Sequence, residues 1–251
     1  MQSHTVVSQQ EWLAARRALL AREKELTHAR DEISRLRRDL PWVRIDKPYV
    51  FDTPQGKQSL AQLFGTRSQL VINHFMLAPG WKDGCIGCSF AADHVEGMLP
   101  HLAQRDVAYV AVSRAPLAEI ETYKARMGWH FAWVSSFGSD FNFDFNVSFR
   151  PEDLAPGRKV TYNYELTEAG IEELPGYSVF TRDDSGAVFH TYSSFGRGAE
   201  ALLTTYALLD MTPKGREENG PHHNLMDWVK RHDEYATAAA AAACCHGAAA
   251  S

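Results

Sequence analysis

Two thiols stand two residues apart in the run Trp81-Lys82-Asp83-Gly84-Cys85-Ile86-Gly87-Cys88, a spacing suited to dithiol–disulfide chemistry. The pair lies between an apolar, strand-like run at residues 70–77 and a segment with a helical pattern at residues 89–104. A helix N-terminus offers unpaired backbone N–H groups and partial positive charge, both of which favour a thiolate over a thiol. Cys85, at that junction, reads as the nucleophile. Cys88, one turn on, is close enough to attack a mixed disulfide formed on Cys85, and reads as the resolving thiol. Of the flanking charges, Lys82 favours the anion and Asp83 opposes it.

Two other readings of the pair compete. A C-x-x-C can be half of a zinc site, but a closed site needs two more good ligands. His74, His94 and His101 could supply nitrogens, while Cys244 and Cys245 sit in an Ala-rich tail and His222-His223 in a polar stretch that reads as solvated. The other reading is a pair of merely buried thiols, against which Gly84 and Gly87 argue for a tight, exposed loop. The expectation is therefore a redox dithiol with no metal. No bound organic cofactor is expected either, since no glycine-rich phosphate loop of the GxGxxG or Walker type occurs.

The elements that must position these thiols follow from periodicity. Residues 8–40 read as one helix, with Trp12, Leu19, Leu26, Ile33 and Leu40 recurring every seven residues and Pro41 ending it. This N-terminal helical arm either lies along its own domain or joins two copies of the chain as a homodimer. Short strands at residues 49–51 and 56–60 flank a turn, Thr53-Pro54-Gln55-Gly56, and residues 61–64 form a helical turn. The strand at 70–77, the helix at 89–104, a strand at 107–113 and a helix at 117–127 opened by Pro116 imply right-handed crossovers and a parallel central sheet. Residues 150–173 read as a flap or hairpin. Strands at 177–181 and 187–192 flank the turn Asp183-Asp184-Ser185-Gly186, and 198–209 read as a closing helix. The resulting division is an arm at 1–41, an α/β domain at 42–211, a polar extension at 212–235 and an Ala-rich, disordered tail at 236–251.

The composition is that of an ordinary globular chain: 251 residues, 45% hydrophobic and 23% charged. A net charge of −5 gives no reason to expect nucleic acid or an anionic membrane as partner. No run of eighteen apolar residues and no secretory signal in residues 1–10 are present, and four cysteines do not make a disulfide scaffold, so a cytoplasmic protein with reduced thiols is expected.

The order of elements and the placement of the cysteines resemble the thioredoxin superfamily, in particular the branch shared by peroxiredoxins and TlpA-like reductases. The run from Phe51 to Leu60 is similar to the segment that precedes the active-site strand in that branch. Further matches are His74-Phe75-Met76, Gly84-Cys85-Ile86-Gly87-Cys88-Ser89-Phe90, Val112-Ser113-Arg114-Ala115-Pro116, Arg126-Met127-Gly128-Trp129 and Ser139-Asp140-Phe141-Asn142. Together, from Trp12 to about Tyr235, these resemble the bacterial family catalogued as domain of unknown function 899, described as predicted dithiol–disulfide oxidoreductases.

The resemblance implies a thioredoxin-like central sheet flanked by helices, and a thiol–disulfide oxidoreductase acting on a protein or small-molecule disulfide at the expense of an unidentified thiol reductant. It lays His74 where thioredoxin carries a buried acid, from which an imidazole could take the Cys88 proton. Equally, His74 could be a core histidine. It also lays Pro175, before the strand at 177–180, where the superfamily carries a cis-proline facing the dithiol. Trp81, Arg114, Asp140 and Asn142 are candidates for substrate binding, Arg114 because it follows the C-terminal end of a strand, where ligand sites of α/β sheets gather. Arg114 could instead anchor its loop, and the aromatic residues around Asp140 could simply be core.

A peroxiredoxin-like thiol peroxidase is the enzymatic rival. Against it, Pro79 is one residue out of register with Cys85, and Lys82 stands where Thr or Ser belongs. A non-catalytic redox switch or interaction module is the alternative outside catalysis.

Overall fold

A computed structural model of the chain describes residues 4–235. The tail at 236–251, with Cys244 and Cys245, lies outside the described residues. The chain divides into two units, one ending at Val43 and one beginning at Arg44.

The first unit is dominated by a 30-residue helix, α1 (Gln9–Arg38). Ser8 Oγ accepts the Glu11 N–H at 3.3 Å and the Glu11 carboxylate accepts the Ser8 N–H at 2.9 Å, a reciprocal cap that satisfies two otherwise orphaned donors. Arg35, Arg37 and Arg38 in the last turn oppose the negative end of the helix dipole. The helix stops before Pro41, as a proline requires of the residues ahead of it. Trp12, Leu19, Leu26 and Ile33 are all exposed.

The strands of the main sheet begin with β1 (Val43–Arg44) at the boundary, then the hairpin β2 (Val50–Thr53) and β3 (Gly56–Ser59), followed by β4 (Gln69–His74), β5 (Val107–Ser113) and β6 (Ala132–Ser135). A separate hairpin, β7 (Val160–Tyr162) and β8 (Glu165–Thr167), fills the polar excursion, and the main sheet resumes with β9 (Gly176–Arg182) and β10 (Val188–Phe195). The spatial order is β1-β10-β9-β4-β5-β6-β2-β3.

Only β4, β5 and β6 are parallel; β9 runs antiparallel to β4, and β10 to β9. The sheet is therefore mixed, not parallel throughout. Strands joined by a tight turn must be antiparallel, and the turn from Asp183 to Gly186 is such a turn: the Asp183 carboxylate accepts the N–H groups of Ser185 and Ala187, and Gly186 takes φ +84°. A helix-connected parallel pair, then an antiparallel hairpin beside the first strand, is the thioredoxin-like arrangement.

The helix expected at 89–104 is broken into α2 (Ile86–Ala92) and α3 (Leu99–Gln104), with a 3-10 turn at Glu96–Met98 between them. Past Ala92 the backbone bonds tighten to the i−3 type at His94 and Val95, and Pro100, which lacks an N–H, is accommodated in the first turn of α3. α4 (Leu117–Met127) connects β5 to β6 and ends at Gly128 in the left-handed conformation, φ +65°. A one-turn helix, α5 (Phe141–Asp144), follows β6. The closing segment is a 3-10 turn at Gly196–Leu202 and then α6 (Thr204–Leu209), separated by the non-helical Leu203.

Strand alternation divides the core into two layers. Phe75, Tyr109, Ala111 and Trp133 face α2 and α4 with Ala92, Ile120, Tyr123 and Cys88. Leu70, Ile72, Val110, Val112, Val134 and Phe180 face the other way, onto Phe51, Leu63 and Phe141. No helix among the described residues is long and apolar enough to cross a membrane.

Candidate dithiol site

After β4 the chain turns back to Cys85, whose N–H donates to the Met76 carbonyl at 3.1 Å. Gly84 is buried, and its glycine character has a steric cause: a Cβ there would lie 2.6 Å from Phe75 Cε1 and 2.8 Å from Tyr123 Cε1. The loop is tight because the aromatic layer admits only bare backbone at this point, not because it is exposed. Cys85 then caps α2, its carbonyl accepting the Ser89 N–H at 2.9 Å and the Ser89 hydroxyl at 2.8 Å. Ser89 Oγ is also hydrogen-bonded to Tyr123 Oη at 2.8 Å.

Both cysteines are free thiols, Cys85 partly exposed and Cys88 buried. The Cys88 thiol donates to the Cys85 sulfur, and the N–H groups of Cys88 and Gly87 point at the same atom, as does the charge of Arg231. These hold the Cys85 thiol at about 6 against the opposing effect of burial. Cys88 is pushed the other way, upward, by that same hydrogen bond, by burial, and by the negative charges of Cys85 and Glu173. The pair is thus asymmetric: the leading sulfur is the anion and the second keeps its proton.

Asp83 is paired with Arg126, and the nearby cation is Arg231, whose Nη2 and Nε donate to the Gly84 carbonyl at 2.7 and 3.2 Å.

A buried carboxylate also acts on Cys88 through its charge. Glu173 accepts the Ser148 hydroxyl at 2.6 Å and Arg114 Nε at 2.6 Å. Burial raises its carboxyl to about 6, only partly offset by those two partners. Glu172 accepts Arg114 Nη2 and, at 3.0 Å, Trp81 Nε1. Trp81 and Arg114 are therefore brought together with the dithiol layer, and the Arg114 guanidinium is held by two carboxylates of this chain, the loop-anchoring alternative for that residue.

Other expected site residues are elsewhere. His74 falls on the opposite face of β4 from the thiols: it stacks on Phe141 and Phe145, and its Nε2 is 2.8 Å from Ser178 Oγ. Full burial drives its imidazole down to about 3, so it is neutral, and it cannot relay the Cys88 proton through the sheet. Pro175 does enter β9 next to Gly176, which pairs with His74, but no cis peptide bond occurs among the described residues. Its bond is trans, the form favoured by about 0.5–1 kcal/mol for X–Pro, and its carbonyl accepts the Tyr162 hydroxyl at 2.8 Å. Asp140 is paired with Lys47 at 2.9 Å and with Arg150. Asn142 is buried, its Oδ1 accepting Ser136 Oγ at 2.8 Å. Trp129, Trp133 and Phe141 are core.

His94 has Nδ1 on the Phe90 carbonyl and Nε2 on Thr205 Oγ1, each at 2.7 Å. Among the described residues no group of three or more His, Cys, Asp or Glu side chains is arranged to hold a metal ion.

Two residues that matter here were not singled out from the sequence. Glu173 carried a weak signal, a pair of carboxylates separated by Leu174 from the proline that enters a strand. Arg231 carried none, being 147 residues from the backbone it holds.

No curated protein matches the chain. Among solved structures, a serine-for-cysteine mutant of peroxiredoxin Q of Xanthomonas campestris is 14% identical, with 68% of this chain and 98% of that chain covered and a TM-score of 0.44. Peroxidoxin BcpB of Mycobacterium tuberculosis is 14% identical, covering 66% and 96%, with a TM-score of 0.41. Residues 1–235 match the model of one protein family, and the chain belongs to that family, described as bacterial protein of unknown function, DUF899.

Proposed function

We propose that this chain is a thiol–disulfide oxidoreductase with Cys85 as nucleophile and Cys88 as resolving thiol. The observation that supports it most is the asymmetry of the pair: a partly exposed sulfur lowered to about 6 beside a buried thiol that retains its proton. The Cys85 thiolate attacks one sulfur of a substrate disulfide, forming a mixed disulfide and expelling the other half as a thiolate. Cys88 then loses its proton and attacks the Cys85 sulfur, releasing the second half of the substrate as a thiol. Two electrons have passed to the substrate, and the chain is left with a Cys85–Cys88 disulfide. An external thiol donor reduces it again. Glu173, whose charge reaches Cys88, is the carboxylate best situated to receive the Cys88 proton.

Reduction of insulin disulfides with dithiothreitol as donor tests the proposal. The expected result is many turnovers per chain, lost in Cys85→Ser, and a stable mixed disulfide in Cys88→Ser. No turnover above the donor's own rate would overturn it. Consumption of hydrogen peroxide with loss of the Cys85 thiol would favour the peroxidase instead, and an oxidation-dependent change of oligomeric state without turnover would favour a switch.

A further inference from the structure

The polar extension beyond residue 211 crosses the outside of the dithiol helix. Leu225, Trp228 and Val229 pack with Phe90, Ile86 and Ala91 of α2 and with Tyr206 of α6. A Leu225 methyl lies 3.3 Å from where a Cβ on Gly87 would stand, over the first turn of α2 between the two cysteines. The far end is fastened by charge: Asp233 accepts Arg126 Nε at 2.7 Å, and His232 Nδ1 is 2.7 Å from the Asp93 carboxylate, which also accepts Trp129 Nε1.

Between these two attachments stands Arg231, its side chain only 14% exposed. Its donors reach the Gly84 carbonyl, Tyr123 Oη at 3.0 Å, and a single carboxylate, Glu234, at 2.9 Å on the more exposed side. A largely buried cation is costly unless its charge is matched. Here the inner partners are neutral oxygens, so part of the charge is left for whatever negative group adjoins the Gly84–Cys85 peptide. The charged groups around Cys85 are then Arg231 with its partner Glu234 on one side and, beyond Cys88, Glu173 with Arg114 on the other; Asp83 and Asp233 are both taken by Arg126.

We propose that residues 225–234 are a strap belonging to the dithiol site, in which Arg231 is a positioning residue that holds the Gly84 carbonyl and sets positive charge against the Cys85 sulfur. The inference rests on Cys85 being the nucleophile, and adds that the thiolate is completed by a distant segment of chain. Burial opposes the anion; the Cys88 thiol does most to offset it, and the strap charge adds to the Cys88 and Gly87 amides.

The test is a pH titration of thiolate ultraviolet absorbance in the full chain carrying Cys244→Ser and Cys245→Ser, so that the dithiol is the only source of thiolate, with a Cys85→Ser chain as the blank. Removing the charge in Arg231→Gln is expected to raise the Cys85 midpoint by about half a pH unit or more, a roughly threefold smaller thiolate fraction on the acid side of the transition. Arg231→Lys, which keeps the charge, is expected to restore at least half of that change. Leu225→Ala, which loosens the strap on α2 without changing any charge, is expected to move the midpoint in the same direction and less; it also serves if Arg231→Gln does not fold. A Cys85 midpoint unmoved in folded Arg231→Gln, or unmoved in Leu225→Ala where the former does not fold, overturns the role of the strap. Lys behaving as Gln overturns the charge as its means. If the parent chain itself shows no thiolate below the ordinary cysteine range, the proposed function fails first, and the two failures are told apart.

Discussion

Glu173→Gln tests the buried carboxylate quantitatively. In the folded chain this carboxyl is raised from its ordinary 4.5 to about 6, chiefly because its side chain is 2% exposed. At about 1.4 kcal/mol per tenfold change in proton affinity, that is a linkage of ~2 kcal/mol. For an acid with a raised folded value, the protonated form is the one folding favours. Its contribution is therefore fully present below 4.5 and lost as pH rises through about 6. Between pH ~4.5 and pH ~7.5 the parent chain should lose about 1.5 kcal/mol relative to Glu173→Gln, whose amide does not titrate. Urea unfolding of both chains across that range reads the difference directly, because every other titrating group is common to the two. With a slope of ~2–3 kcal/mol per molar, the gap between midpoints should change by roughly half a molar. The same substitution removes a negative charge from Cys88, so the Cys88 midpoint should fall. Unfolding curves that stay a constant distance apart across this pH range would refute the burial argument, and an unmoved Cys88 would refute the link to the dithiol.

The remaining expectations are local. Gly84→Ala forces a Cβ against Phe75 and Tyr123 and should cost about 1–3 kcal/mol in unfolding free energy, with no such loss for Gly97→Ala, where nothing lies within 4 Å. His74→Gln should leave the Cys85 midpoint where it is while lowering stability by about 1–3 kcal/mol through the disturbed contact with Ser178; a moved midpoint would mean the sheet does not separate them. Ser8→Ala should cost α1 about 0.5–2 kcal/mol, read as lost helical ellipticity at lower temperature, because the reciprocal cap with Glu11 is broken. In Cys88→Ser, a small aromatic disulfide should release one thiol per dithiol site and leave its other half attached to Cys85, whereas release of both halves would show that the second thiol is not needed for resolution.

What could be read from the sequence was what is local in it. The dithiol lies within four consecutive residues, β5 and α4 have the bounds their apolar patterns dictate, and the turn at residues 183–186 carries its own chemistry in Asp183 and Gly186. Even locally, two features escaped: the segment at 89–104 is split although its apolar pattern is continuous, and Gly84, read as part of a tight, exposed loop, is a buried point of contact between backbone and aromatic rings.

His74 shows the limit more sharply. A strand shifts every side chain to the other face when its register moves by one residue, so being next to Phe75 in sequence says nothing about being next to Cys88 in space. Only the pairing of β4 with β5 and β9 decides which layer each side chain enters. The same holds for the charges around the thiols. Lys82 and Asp83 are adjacent to them in the chain, yet Arg231 and Glu173 are the groups that act on them, brought in by long connections. The proposed nucleophile could thus be picked out from the sequence, because that choice needs only two cysteines and a turn. Its ionisation was decided by the tertiary structure, because electrostatic energy depends on distance and burial, and both are set by segments remote in the chain.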